Sequence, residues 1–264
     1  MLLTQSSRRY TEKNKIKKMT EYILPILFFF VALIYSSVGL GGGSSYTALM
    51  AILGVSYQII PTTSLTLNLV VTSIGVINFW RNGHGRTSLI VPFMVTSIPM
   101  AYFSGRLDLP KEIFQILLLA TLIIVVIRIY ALKSMKISFH LEGTQKWIFI
   151  LSLGALLGFI AGSVGIGGGI YLVPLIIMFG LGNEKEAAAA GALFVWVNSL
   201  AGVISRAQAG TFDAAFIMPL AGAVIIGGFA GSFFGSSKFD ARTIQQIMGG
   251  VIIIAILFLL KEIL

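Results

Sequence analysis

The sequence contains no cysteine. Disulfides, thiolate metal sites and redox-active thiols are thereby excluded, although the compartment is not fixed by this. Charge is scarce as well: 11% of the 264 residues are Asp, Glu, Lys or Arg, against about 25% in an ordinary soluble domain. The ten acidic residues are Glu12, Glu21, Asp108, Glu112, Glu142, Glu184, Glu186, Asp213, Asp240 and Glu262, and none lies inside a long apolar run. The apolar interior thus offers no carboxylate to bind a cation or relay a proton. HExxH, GxSxG and P-loop motifs are missing, which leaves an intramembrane enzyme without support. His84 and His140 stand isolated in polar stretches, so no metal, cofactor or catalytic residue is expected.

What is present is apolar length. Hydrophobic residues make up 56% of the chain, and a spanning helix needs about 20 mostly apolar residues. The runs 22–38, 57–80, 88–104, 113–132, 147–163, 187–205, 214–234 and 244–260 are separated by short polar gaps. The expected fold is an all-α polytopic membrane protein of about eight transmembrane helices. The run from Tyr22 is longer than a signal-peptide core and has no small-residue cleavage site after it, so it reads as a retained span. Of the 19 Lys and Arg behind the net charge of +9, six lie in the first 18 residues: Arg8, Arg9, Lys13, Lys15, Lys17 and Lys18. A cytoplasmic tail that orients the first helix accounts for them better than a nucleic-acid arm.

The second half of the chain resembles the first. Ser37-Val38-Gly39-Leu40-Gly41-Gly42-Gly43 returns 126 residues later as Ser163-Val164-Gly165-Ile166-Gly167-Gly168-Gly169. At a spacing of 127, Gly75 meets Gly202, Gly83 meets Gly210 and Pro92 meets Pro219. An internal repeat of this kind decides architecture. It divides the chain into a basic tail (1–18), a first membrane repeat (19–132), a polar linker (133–146) and a second repeat (147–264). Each repeat has four spans, the first of them broken by glycine. With the tail inside, the loop with Arg81 and Arg86, the linker and the loop with Arg206 all fall on the cytoplasmic side, as do both termini. In a second-ranked arrangement the glycine segments are re-entrant, which inverts one half against the other and puts the linker outside.

Three contiguous glycines in a span cost roughly 1 kcal/mol each relative to alanine, and contiguous glycines do not share one helix face. Such a break leaves backbone groups that protein, water or substrate must satisfy. The helices restarting near Ser44 and Ile170 would present free N–H groups and a positive dipole end. Broken helices at matching places in two repeats point to a transporter's binding site, and carboxylate-free spans favour an anion. The candidate site is Gly41, Gly42, Gly43, Ser44, Ser45, Thr63, Ser64 and Asn68 in the first half, with Gly167, Gly168, Gly169, Tyr171, Asn198 and Ser199 in the second. Gly158 with Gly162, and Gly227 with Gly231, read instead as helix-packing pairs. Arg81, Arg128 and Arg206 stand at span ends, where snorkelling to the interface is the favoured role. The alternative for Arg81 or Arg206 is to guide anions into a vestibule.

The twin signatures Gly39-Leu40-Gly41-Gly42-Gly43 and Gly165-Ile166-Gly167-Gly168-Gly169-Ile170-Tyr171-Leu172-Val173-Pro174-Leu175 resemble those of the sulfite exporter TauE/SafE family, the toluenesulfonate uptake permeases. Asn198-Ser199-Leu200-Ala201-Gly202 is similar to the family's second-half pattern, and the resemblance covers about residues 20–264. Ala48 departs from it, standing where the second half has Pro174. The resemblance implies a plasma-membrane carrier of a small anion, such as sulfite or an organosulfonate, working by alternating access. The partners expected are that anion and the lipid bilayer, not nucleic acid. An anion channel and a non-transporting structural subunit are the other classes open at this point.

Overall fold

The computed structural model describes residues 22–36, 40–131, 143–179, 181–235 and 241–263. The basic tail, Gly39, His140, Asp240 and most of the 133–146 linker lie outside the described residues. Ten helices and no strand occur among the described residues: α1 (Tyr22–Ser36), α2 (Gly43–Ile52), α3 (Ile60–Arg81), α4 (Thr87–Gly105), α5 (Lys111–Tyr130), α6 (Gly143–Val164), α7 (Gly169–Met178), α8 (Glu184–Gln208), α9 (Ala214–Gly235) and α10 (Ala241–Ile263). Six of them, α3, α4, α5, α6, α8 and α9, are long and apolar enough to cross a membrane. Their outer faces expose large apolar side chains such as Val95, Phe103, Ile116, Ile124 and Phe229, as a lipid-facing surface requires.

Local sequence sets the ends. Pro61 occupies the first turn of α3, where its missing N–H has no helical partner to lose. Asn183 opens α8 with a capping box: its side chain accepts from the Glu186 N–H at 2.9 Å, and the Glu186 carboxylate accepts from the Asn183 N–H at 2.9 Å. Two orphan donors are satisfied in this way. The glycine-rich segments end α1 and α6, and here the chain turns back. Tyr46 of α2 stacks on Phe28 of α1 with ring centroids 4.7 Å apart. A Cβ on Gly168 would come within 3.4 Å of the Leu157 carbonyl oxygen, about two turns back along α6. With ten residues each, α2 and α7 are about 15 Å long, half the hydrocarbon thickness of roughly 30 Å.

At the centre, α3 and α8 run antiparallel. Thr62 meets Thr211 just beyond α8, with their hydroxyls 2.9 Å apart, Gly202 faces Leu65, and the Trp196 indole donates to Ser73 at 2.9 Å. Helix α5 meets α10 in the same antiparallel sense, since Tyr130 at its last turn donates to the Gln246 carbonyl near the start of α10. By contrast, α4 and α6 are parallel: Gly154, Gly158 and Gly162 sit on the carbonyls of Phe93, Ser97 and Ala101. Helices α1 and α9 are also parallel, with Gly227 and Gly231 on the carbonyls of Phe29 and Leu33. Ser36 adds a hydrogen bond to the Gly228 carbonyl at 2.7 Å.

These directions correct the preferred side assignment. The amino end of α1 and the carboxyl ends of α8 and α10 lie at one end of the bundle, whereas Asn82 and the start of α6 lie at the other. The loop with Arg81 and Arg86 therefore cannot share a side with Arg206, and the first residues of α1 and α6 lie at opposite ends. The physical reason is the reversal at each glycine segment, which adds a return pass that a count of four crossings per half omits. Single cysteines at the exposed positions Asn82, Thr144 and Ala209 give a direct check. An impermeant maleimide should reach the first two from one side and Ala209→Cys from the other. Labelling of all three from one side would restore the parallel arrangement.

The glycine pairs assigned to packing occupy backbone-to-backbone contacts. A Cβ on Gly158 would collide with the Ser97 carbonyl oxygen and lie 2.6 Å from its Cα, neither of which can swing aside. Overpacking of this sort costs about 1–3 kcal/mol. Gly158→Ala should lower the melting temperature and expression, and is not a silent control for binding experiments.

Candidate functional site

The two glycine segments meet. A Cβ on Gly43, the first residue of α2, would lie 2.6 Å from the Ile166 carbonyl oxygen of the opposite segment. Ser64 of α3 ties both together: its hydroxyl is 2.7 Å from the Gly165 carbonyl oxygen and 3.2 Å from that of Gly43. Leu40 reaches Gly191 of α8, and Gly169 packs against the Gly191 carbonyl. The amino ends of α2 and α7, each with first-turn N–H groups that have no acceptor within their own helix, are thus brought to one place.

Asn68 stands between them. A Cβ on Gly41 would fall 2.6 Å from its Oδ1, one on Gly43 2.5 Å from its Nδ2, and one on Gly167 2.9 Å from the same nitrogen. Only glycine allows this approach. The Asn68 side chain is fully buried, and neither its oxygen nor its nitrogen has a hydrogen-bond partner. Leaving a buried polar group unpaired costs about 1–3 kcal/mol, and this amide leaves both of its polar atoms so. Ser199, also beside Gly167, has a buried hydroxyl without a partner, as does Thr63, and the amide oxygen of Asn198 is likewise unpaired.

The other candidate residues are engaged or serve the backbone. Ser44 and Ser45 place their hydroxyls 2.9 and 2.8 Å from the Tyr35 hydroxyl. Tyr171 points away from the break and donates to the Thr121 carbonyl of α5 at 2.9 Å. The Asn198 Nδ2 returns to the Phe194 carbonyl one turn back at 2.8 Å. The two triplets share a sequence but not a conformation. Gly42 caps α2 at φ −86°, whereas Gly168 caps α7 at φ +76°, with Gly165 and Gly167 also left-handed. Gly167 and Gly168 are needed for their backbone angles, and Gly41 and Gly43 for close approach.

Neutral donors and two helix amino ends, with no carboxylate among them, suit an anion. The family profile of the sulfite exporter TauE/SafE type matches residues 24–259. The chain belongs to the TauE/SafE family. It is 31% identical over 239 residues to a probable membrane transporter protein, y4hK, of Sinorhizobium fredii, covering 90% of this chain and 97% of that protein. It is 23% identical over 250 residues to the probable membrane transporter protein YjnA of Bacillus subtilis, covering 87% and 96%. The probable membrane transporter protein MJ0441 of Methanocaldococcus jannaschii is 26% identical over 207 residues, 72% of this chain and 74% of its own. No solved structure matches the chain significantly. This TauE/SafE protein is accordingly a multi-pass membrane protein of transporter type.

Two residues near the TauE/SafE glycine segments have more structural weight than their sequence context shows. Tyr35 lies in an apolar run with no pattern to single it out, yet its hydroxyl holds the first turn of α2. Arg206 does not snorkel. It is 6% exposed, and its guanidinium donates from Nε to the Gly162 carbonyl at 3.1 Å and from Nη2 to the Gly162 and Ser163 carbonyls at 2.9 and 2.8 Å. It thereby neutralises the negative dipole end of α6.

Proposed function

We propose that the chain is a secondary transporter that moves a small anion across the plasma membrane, with its site at Asn68 between the two glycine segments. The observation that carries this reading is the Asn68 amide, fully buried with both polar atoms unpaired, set between two helix amino ends. The family description names sulfite, and sulfite or an organosulfonate has several acceptor oxygens for the Asn68 Nδ2, the Ser199 hydroxyl and first-turn N–H groups.

The two repeats are inverted in this reading. Each contributes four crossing helices, α1 and α10 being counted with the six long ones, and one half-length return, α2 or α7. Inverted repeats with discontinuous helices at mid-depth fit alternating access, in which one repeat rocks against the other around a fixed site. The basic tail puts the end carrying both termini in the cytoplasm. Spans without carboxylates leave no acidic residue to relay a proton, and the reading takes the anion to move down its own electrochemical gradient.

Melting of the purified protein against sulfite, sulfate, thiosulfate, organosulfonates, carboxylates and metal cations tests the reading. Binding at a hundred times the dissociation constant adds about 2.7 kcal/mol of stability, so a carried anion should raise the melting temperature by several degrees. Stabilisation by sodium or a divalent cation with an inert anion panel would sink it.

A further inference from the structure

The carboxyl end of α8, the α4–α5 turn, the end of α6 and the start of α3 enclose a second feature, a cavity of about 280 Å³. Arg206 and Ser163 line it, with Gln58 and Thr211. Pro61 forms part of its wall, and Gly165 of the second glycine segment packs against the Pro61 backbone. The cavity therefore abuts the segment that reaches Asn68.

Arg206 makes no ion pair among the described residues. Its three hydrogen bonds to α6 carbonyls use Nε and Nη2, and no described hydrogen bond uses Nη1. A guanidinium has five N–H donors in a fixed fork, so this buried, cavity-lining cation keeps two Nη1 donors with no described acceptor. Arg106 and Asp108 also line it, but the Arg106 guanidinium donates to the Gln208 Oε1 at 2.7 Å and stacks on the Tyr102 ring 4.6 Å away. With two cations and one carboxylate the cavity is net positive.

We infer that this cavity is a second anion subsite, in which Arg206 Nη1 holds a small oxyanion, with Ser163, Gln58 and Thr211 as neutral partners, before it passes to Asn68. The subsite rests on the transport reading for its purpose but not for its binding. In a low-dielectric cleft a fixed cation concentrates the opposite charge at the entrance, and its loss acts on capture more than on passage. No counterpart stands 127 residues earlier, where the sequence has Phe79. Arg81, two residues on at the end of α3, is exposed, so the second entrance would lack a buried cation, and the subsite would serve one side of the membrane.

The test is initial sulfite flux in proteoliposomes, with melting curves taken in the absence of anion. Arg206→Gln should raise the KM for sulfite by about tenfold or more, in the range that electrostatic focusing spans, and leave kcat within about threefold. Arg206→Lys keeps the charge and should recover most of the KM. A lower melting temperature in Arg206→Gln with unchanged KM would overturn the subsite and leave Arg206 as a cap of α6. Normal flux in Asn68→Leu beside a raised KM in Arg206→Gln would sustain the subsite and sink the central site. If the wild-type protein carries no sulfite, the comparison is read from sulfite-dependent melting shifts. A shift lost in Arg206→Gln sustains the subsite, and no shift in the wild type overturns it.

Discussion

Replacing Asn68 by leucine should give a protein that folds at least as well as the wild type and carries the anion far more weakly. Leucine keeps the branched four-heavy-atom shape of the asparagine side chain, with bulkier methyl ends, and removes two buried polar atoms that lack partners. Exchanging unsatisfied polar groups for apolar ones of similar shape is close to neutral or stabilising, so the melting temperature without ligand should hold or rise. Binding should suffer in the opposite direction. A hydrogen bond to a charged group is worth about 1.5–3 kcal/mol, and its loss alone weakens affinity by roughly ten- to a hundredfold. Anion-dependent stabilisation and flux should fall together by that amount. Asn68→Asp is the sharper companion, since it puts a negative charge where the anion would sit. Its flux should be undetectable at neutral pH.

Gly43→Ala should be the most damaging single methyl in the glycine segments of the first half. The added Cβ would press on the Ile166 carbonyl oxygen at 2.6 Å and on the Asn68 Nδ2 at 2.5 Å. A backbone oxygen cannot give way as a side chain can, so relief requires the two segments to separate, at a cost of about 1–3 kcal/mol in overpacking. Gly42→Ala is the contrast. Its φ of −86° suits alanine, and the three atoms nearest to the Cβ all belong to the Tyr46 side chain, the first at 2.5 Å. A smaller residue at position 46 should therefore rescue Gly42→Ala, whereas no single side-chain change should rescue Gly43→Ala. Expression, melting temperature and sulfite flux of the two variants, with and without Tyr46→Leu, decide the matter. Equal rescue of both would show that the contact between the glycine segments is not what their glycines protect.

Much of the helical architecture is legible in the sequence because apolar runs of bilayer length separated by capping residues admit few other structures. The glycine triplets also fall where helices stop. The reversal at those triplets is not legible in hydropathy, because a chain that passes straight through a break and one that turns back have equally apolar flanks. Only contacts such as Phe28 with Tyr46, and Leu157 with Gly168, separate the two, and they invert the side assignment drawn from charge. The identical triplets also conceal different backbones, since glycine adopts φ of either sign and so leaves no trace of the choice. Within the polar stretch of α3, Asn68 is hard to rank against its neighbours from sequence alone. The structure separates them by partners: Thr66 returns to the Thr62 carbonyl at 2.8 Å, Ser64 bridges the segments, Thr63 has one unpaired atom, and Asn68 has two. Arg206 escaped because a basic residue at a span end normally reaches for water, and here the exposed carbonyls of α6 lie closer.

The central claim is that an anion crosses alone, through a site without carboxylates, and the dependence of flux on membrane potential tests it most directly. A univalent anion gains about 2.3 kcal/mol per 100 mV on leaving a negative interior, which is roughly fiftyfold in its equilibrium distribution. Proteoliposomes loaded with bisulfite and sulfite, with the potential set by a potassium gradient and valinomycin, should release the anion faster when the interior is negative. They should retain it against a chemical gradient when the potential is reversed. Release that ignored the potential and followed an imposed proton or sodium gradient instead would contradict the account.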